Sequence, residues 1–168
     1  MDQLCDDFDG QPLDCRLHII GDGSERHRIE AAIEESGLGE RVSLAGRQPY
    51  SKVLEALWDS HLLLQPSLTA ADGDAEGGAP VILLDAQASG LPVVSTVHGD
   101  IPEYVLDGES GYLAPEGDVD GLAEQLRRCL FSSDIWARLG RSGRRHVEEN
   151  YNARTQAAAL EEIYDKLC

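Results

Sequence analysis

The sequence predicts an α/β domain: a Rossmann-like, doubly wound parallel sheet with helices on both faces. Three observations predict it. Short apolar runs alternate with stretches of helical periodicity along the chain. Glycine or proline stands at the changeovers, as at Gly21, Gly37, Pro66 and Gly90. And the 168 residues suit one domain, 1–168, with room for a real core. Strand, helix, strand in repetition implies parallel strands joined by right-handed crossovers.

Arg16 to Ile20 reads as the first strand, closed by Gly21-Asp-Gly23. Ser24 is placed to cap a helix with Ile29, Ala32 and Ile33 on one face, and Gly37 stands where it would stop. Val42 to Ala45 is the second strand. Ser51 is placed to cap a helix carrying Val53, Leu54, Leu57 and Trp58 on one face. His61 to Gln65 is the third strand, ended by Pro66. A polar loop, Ser67 to Ala79, leads to Pro80, which suits the first position of a helix that runs to Ser89. Leu91 to Ser95 and Gly111 to Leu113 are the last strands. From Asp118 onward, apolar spacing predicts three helices, marked by Leu122/Leu126/Leu130, Ile135/Leu139 and Ala159/Ile163/Leu167.

Charge narrows the partners. With 31 acidic and 14 basic residues the formal net charge is −17. Such a surface repels phosphate backbones and anionic headgroups, so nucleic acid and membrane surfaces are not expected partners. No apolar run approaches the ~20 residues of a transmembrane span. The acidic opening shows no basic-then-apolar leader, and a cytoplasmic protein is expected. Cys5, Cys15, Cys129 and Cys168 have no metal or redox spacing, and the histidines are scattered singly, so no metal is expected.

In open parallel sheets ligands bind at the carboxyl ends of strands, near free helix N–H groups. Three loops fall there: Gly21-Asp22-Gly23, Gly46-Arg47-Gln48 and Glu76-Gly77-Gly78-Ala79-Pro80. Glycines in such loops either let the backbone approach a ligand or merely turn the chain. The third loop favours a ligand, because a carboxylate and paired glycines coincide. Asp72-Gly73-Asp74 has the form of a metal-binding D-x-D but lies among small residues, where a turn is the simpler use. The dinucleotide fingerprint, the G-x-x-x-x-G-K-[ST] loop and the G-x-S-x-G elbow are all absent.

The stretch Glu76-Gly-Gly-Ala-Pro-Val-Ile-Leu-Leu-Asp85, followed by Ala86-Gln-Ala-Ser-Gly-Leu-Pro-Val-Val-Ser95, resembles the donor-site signature of group 1 retaining glycosyltransferases. Ile20-Gly-Asp-Gly23 and Leu64-Gln-Pro-Ser67 before it, and Ile101-Pro-Glu103 and Asp107-Gly-Glu-Ser-Gly111 after it, are further matches and occur in family order. The likeness runs from about Leu17 to Leu167. It implies one half of a two-Rossmann-domain, GT-B-type enzyme: the carboxy-terminal domain, which holds the nucleotide-sugar. By matching positions Glu76 would face the donor sugar near the reacting carbon and be the catalytic carboxylate. Asp85 would bond the ribose. The N–H groups of Ala79, Val81 and Ile82 would meet the diphosphate beside Gly77 and Gly78. Gly46, Arg47 and Gln48 would border the base, with Gly21 and Gly23 lining the site. The implied substrate is a nucleotide-sugar such as a UDP- or GDP-hexose; the implied reaction is hexosyl transfer with retention to a glycan or lipid-linked acceptor, with no cofactor and no metal.

Two departures stand out. The family's carboxylates usually have seven residues between them, whereas eight separate Glu76 from Asp85. Aspartate for glutamate also shortens the reach by roughly 1.5 Å. The family's basic G-R-x-x-x-K-K-G-like loop, with the strand before it, has no match ahead of Leu17. A domain missing its first strand and its amino-terminal acceptor partner is therefore expected to be inactive by itself. The alternatives are a non-transferring nucleotide-sugar enzyme, of epimerase or phosphorylase type, and an inert remnant. A phosphorylase would want a lysine in a ligand loop, and Lys52 and Lys166 lie in none. A receiver-type signalling domain would want a lysine at a later strand end, which Val93 to Thr96 lacks.

Overall fold

The computed structural model describes residues 15–70, 72, 73, 75 and 78–167. Backbone contacts divide the chain into two compact units, Met1–Ala56 and Leu57–Cys168.

The described part of the first unit is a β-α-β crossover. Strand β1 (Leu17–Ile19) pairs in parallel with β2 (Val42–Leu44), with Leu17 opposite Val42 and Ile19 opposite Leu44. On the outer side of this ribbon His18 Nδ1 lies 2.7 Å from Ser43 Oγ. Helix α1 (Arg26–Glu35) connects the two strands. It starts later than Ser24 would dictate: Glu25 holds the cap position and no side chain bonds there. Its end is as expected. Gly37 adopts φ +65° and Leu38 N–H returns to Ile33 O at 3.2 Å, a glycine-stopped helix end.

Helix α2 (Tyr50–Trp58) opens a residue ahead of Ser51. The N–H groups of Lys52 and Val53 both reach Pro49 O, so Ser51 sits inside the first turn and is not its cap. Leu57 is buried, as the apolar face predicts, but Trp58 is 67% exposed.

The second unit carries a parallel sheet in the order β3 (Leu63–Gln65), β4 (Val93–Val97), β5 (Gly111–Pro115). Strand β4 lies two residues later than its apolar run suggests, and β5 extends to Pro115. The full pairing of Val93 to Val97 with Gly111 to Pro115 accounts for both. Alternation then sorts the side chains to two faces. One face sets Leu64, Val94 and Tyr112 side by side, under α5 (Val119–Leu130) and α6 (Ser133–Asn150). Val94, Tyr112, Cys129 and Leu139 form its buried centre, with Leu122, Leu126, Ile135 and Trp136 packed around them. Each large apolar side chain fully buried there contributes about 1.5–3 kcal/mol. Burial also pushes the Cys129 thiol up to about 11. The opposite face carries Val93 and Leu113; α3 (Ile82–Ala88) and α4 (Ile101–Tyr104) supply the buried Leu83, Ala86 and Ile101.

Helix α3 begins at Ile82, two residues past Pro80. Val81 already has helical dihedrals, but Pro80 contributes only its carbonyl, which accepts from Leu83 N–H at 3.0 Å. Gln87, fully buried in α3, donates to Tyr104 O at 2.8 Å and ties α3 to α4. Asp118 caps α5 by accepting from Gly121 N–H at 2.8 Å. Helix α7 (Ala153–Leu167) buries none of its side chains.

Candidate functional site

In the first unit the loops after β1 and β2 meet. Gly21 N–H donates to Gly46 O at 3.0 Å. Gly46 is buried at φ +66°, and a Cβ placed there would come within 3.4 Å of the Arg26 guanidinium, which pairs with Asp22 at 3.5 Å. Gly23 N–H turns back to its neighbour Asp22, 3.0 Å away. Arg47 is exposed, while Gln48 folds onto its own loop and donates to Ala45 O at 2.6 Å. Four of the five expected residues of this half thus share one pair of bonded loops, and Arg47 projects from it.

In the second unit the carboxyl ends of β3, β4 and β5 come together under the long loop after β3. Ser95 Oγ donates to Gln65 O at 2.6 Å, and Thr96 Oγ1 donates to Ser67 O at 2.5 Å. Thr69 N–H donates to Glu116 Oε1 at 2.5 Å. Glu116 Oε2 lies 2.9 Å from His98 Nδ1, and His98 Nε2 reaches Ala75 O at 3.2 Å. His98 is only 7% exposed against 33% for Glu116.

These bonds favour the charged form of each partner. A neutral imidazole donates from one nitrogen only, yet both His98 nitrogens face acceptors. The Glu116 hydrogen bond, then the Ala75 carbonyl, raises the His98 pKa above its ordinary value. The Thr69 N–H, then His98, holds the Glu116 carboxyl down at about 2. His98 and Glu116 form a hydrogen-bonded pair in which each partner's shift favours its charged form.

Farther along, the loop turns at Asp72 and Gly73, where Gly73 N–H meets Ala70 O at 2.9 Å. Asp74, Glu76 and Gly77 lie outside the described residues. Gly78, Ala79 and Pro80 are half-buried, and Val81 is 65% exposed at the mouth of α3. Asp85, half-buried, stands in the first turn of α3. The N–H groups of Val81 and Ile82 precede the first helical bonds, and no acceptor among the described residues takes them. Gly78, Ala79, Val81, Ile82 and Asp85 therefore fall on one short loop-to-helix corner. His98 and Glu116 are not singled out by any sequence motif; the one available signal is position, directly after β4 and directly after β5.

Parallel strands joined through helices, with loops gathered at the carboxyl ends of the strands, define an α/β protein of Rossmann-like architecture. The family model for glycosyl transferases group 1 matches residues 1–146, and the chain belongs to that family. It is 40% identical over 149 residues to the amylovoran biosynthesis glycosyltransferase AmsK of Erwinia amylovora, covering 89% of this chain and 36% of that protein. It is 38% identical over 151 residues to the putative colanic acid biosynthesis glycosyltransferase WcaL of Escherichia coli K12, covering 89% of this chain and 37% of that one. The chain thus spans little more than a third of each of these two relatives. Among solved structures, Anabaena Alr3699/HepE in complex with UDP superposes with a TM-score of 0.79 at 19% identity, over 92% of this chain and 42% of that one. The fold is that of the GT-B glycosyltransferases. No helix among the described residues is long and apolar enough to cross a membrane.

Proposed function

We propose that this chain is the donor-binding half of a retaining glycosyltransferase, which moves a hexosyl group from a nucleotide-sugar to a glycan or lipid-linked acceptor. The observation that carries the reading is the corner from Gly78 to Asp85. It sets the Val81 and Ile82 N–H groups, which no acceptor among the described residues takes, and Asp85 within the first turn of one helix, on the stretch whose sequence resembles the donor signature. The fold-level likeness to a UDP-bound protein agrees with it.

On this reading the first-turn N–H groups of α3 offset the charge of the diphosphate leaving group. Asp85 accepts hydrogen bonds from the ribose hydroxyls, a pairing that favours a carboxylate. Glu76 accepts from the sugar hydroxyls and holds the reacting carbon in place. Gly46 to Gln48 border the base, and Gly21 and Gly23 are binding residues of the same reading. The reading calls for no metal, because the first-turn N–H groups of α3 supply positive field at the diphosphate. The acceptor and its domain belong to the part of the longer relatives that this chain does not span, and transfer needs both substrates held together.

Calorimetric titration of this chain with UDP, GDP, ADP and their hexose conjugates tests the reading, with Asp85→Asn alongside. Selective binding of one nucleotide, weakened at least tenfold in Asp85→Asn, is expected. Binding untouched by Asp85→Asn would remove the ribose role. No binding of any nucleotide or conjugate would refute a donor-binding function for this chain.

A further inference from the structure

Helix α6 carries a row of arginines on one face. Arg138, Arg141 and Arg145 follow one another at three- and four-residue intervals, which makes them neighbours along the helix surface. Together with Ser142, and with Glu109 from the turn that enters β5, they line a cleft of about 420 Å³. Helix and turn are tied to each other: Arg138 Nη1 donates to Gly108 O at 3.3 Å. The turn is itself closed, since Glu109 N–H and Ser110 N–H both return to Leu106 O, at 3.0 and 2.9 Å, and Ser110 Oγ accepts from Leu106 N–H at 2.9 Å. It stands at the amino end of β5, whereas the donor corner follows the carboxyl end of β3. In a parallel sheet those are opposite edges.

The charge of this cleft runs against the rest of the chain, whose net charge is −17. Arg26, Arg28, Lys52, Arg127 and Arg144 each pair with a carboxylate three or four residues away. Among the described residues no carboxylate forms an ion pair with Arg138, Arg141 or Arg145, and Glu109 in the same cleft is no exception. Like charges at these intervals work against a helix. The free protein therefore carries a repulsion that a bound anion would relieve.

We propose that the α6 cleft is a second binding site, for a small ligand that bears a phosphate group. Guanidinium groups grip phosphate oxygens through paired, charge-assisted N–H bonds. Three arginines against one glutamate leave an excess of two positive charges, which suits a phosphate dianion. Ser142 supplies a hydroxyl donor on the same face. A small ligand fits better than a lipid surface or a nucleic acid, because any footprint wider than the cleft meets the acidic surface of the chain. The site does not depend on the donor reading.

The test is calorimetric titration of the chain with inorganic pyrophosphate at low ionic strength. The proteins are the wild type, Arg141→Gln, the double variant Arg141→Gln/Arg145→Gln, Glu109→Gln and Arg144→Gln. Loss of one charge-assisted hydrogen bond should weaken binding about tenfold in Arg141→Gln, and about a hundredfold in the double variant. Glu109→Gln should tighten it several-fold. Arg144→Gln, which removes a charge already paired with Glu148, should stay within about twofold of the wild type. Without ligand the double variant should melt no lower than the wild type, because it loses only like-charge repulsion. Pyrophosphate that treats the wild type and the double variant alike overturns the proposal, since any binding left is at the donor corner or elsewhere. An equal loss in Arg144→Gln overturns it too, by showing an effect of bulk charge. A double variant that melts well below the wild type assigns these arginines to stability and refutes the site. Binding to phosphatidylglycerol vesicles with none to pyrophosphate refutes a small ligand in favour of a lipid headgroup.

Discussion

A Cβ placed on Gly99 would sit 2.9 Å from the carbonyl oxygen of Gly78, so the turn after β4 and the loop before α3 meet backbone to backbone. Gly99 also adopts φ +50°, a left-handed conformation that side chains disfavour. Gly99→Ala is therefore expected to displace the Gly78 loop. Overpacking of this kind costs about 1–3 kcal/mol. At roughly 2–4 °C per kcal/mol for a protein of this size, the melting temperature should fall by about 2–12 °C. Nucleotide affinity should fall with it, read by calorimetry. A variant that melts and binds like the wild type would show that the two loops are not coupled.

Gly140 in α6 makes a still closer approach, with a Cβ there only 2.0 Å from Gly90 O. That contact lets α6 lie against the end of α3. Gly140→Ala must push the helix off the carbonyl, and a loss of about 3 kcal/mol or more in denaturant unfolding is expected. Gly39→Ala is the control. It is exposed, nothing lies within 4 Å of a Cβ there, and its φ is not left-handed. It should be neutral or stabilise by about 0.4–1 kcal/mol.

At the proposed donor corner, Glu76→Gln should weaken the nucleotide-sugar more than the bare nucleotide, because only the conjugate carries hydroxyls for it. Equal effects on both ligands would remove the sugar-facing role. Asp85→Glu restores the longer side chain and adds roughly 1.5 Å of reach. It should tighten nucleotide binding several-fold if the ribose contact is direct, and leave it unchanged if the contact runs through water.

The His98–Glu116 pair sets a pH window for stability. His98 has a raised pKa in the folded state, so its contribution is full below about 6.5 and fades as pH rises through the folded value. Glu116 is held down at about 2, so its contribution is full above its ordinary value of 4.5 and fades as pH falls toward 2. The pair stabilises most between the two, around pH 4.5–6.5. Melting temperature against pH should show both arms in the wild type. The alkaline loss should disappear in His98→Gln and the acid loss should shrink in Glu116→Gln.

Much of the fold was legible one segment at a time. All five strands fall within two residues of their apolar runs, since a strand buried on a parallel sheet must read as a short apolar stretch. Gly37 and Gly90 mark helix ends because the left-handed turn there excludes most other residues. Helix starts were less legible. Ser24 and Ser51 have the right chemistry for caps, but Glu25 and Pro49 decide where the hydrogen-bonded turns begin. Trp58 sits on a correct apolar spacing and still faces solvent, because periodicity says which residues share a face and not how far the neighbouring core extends.

The local order of residues by itself determined the parallel α/β class, the strand ends where the loops gather and the glycines those loops require. Each is set by backbone stereochemistry and short-range patterning, which the sequence carries directly. Only the tertiary structure decided that His98, Glu116, Thr69 and Ala75 belong to one cluster. They lie up to 47 residues apart, on three strand ends, with no spacing to join them. The register of β4 on β5 brings His98 and Glu116 within hydrogen-bonding distance, and the two acceptors around the ring then raise its pKa.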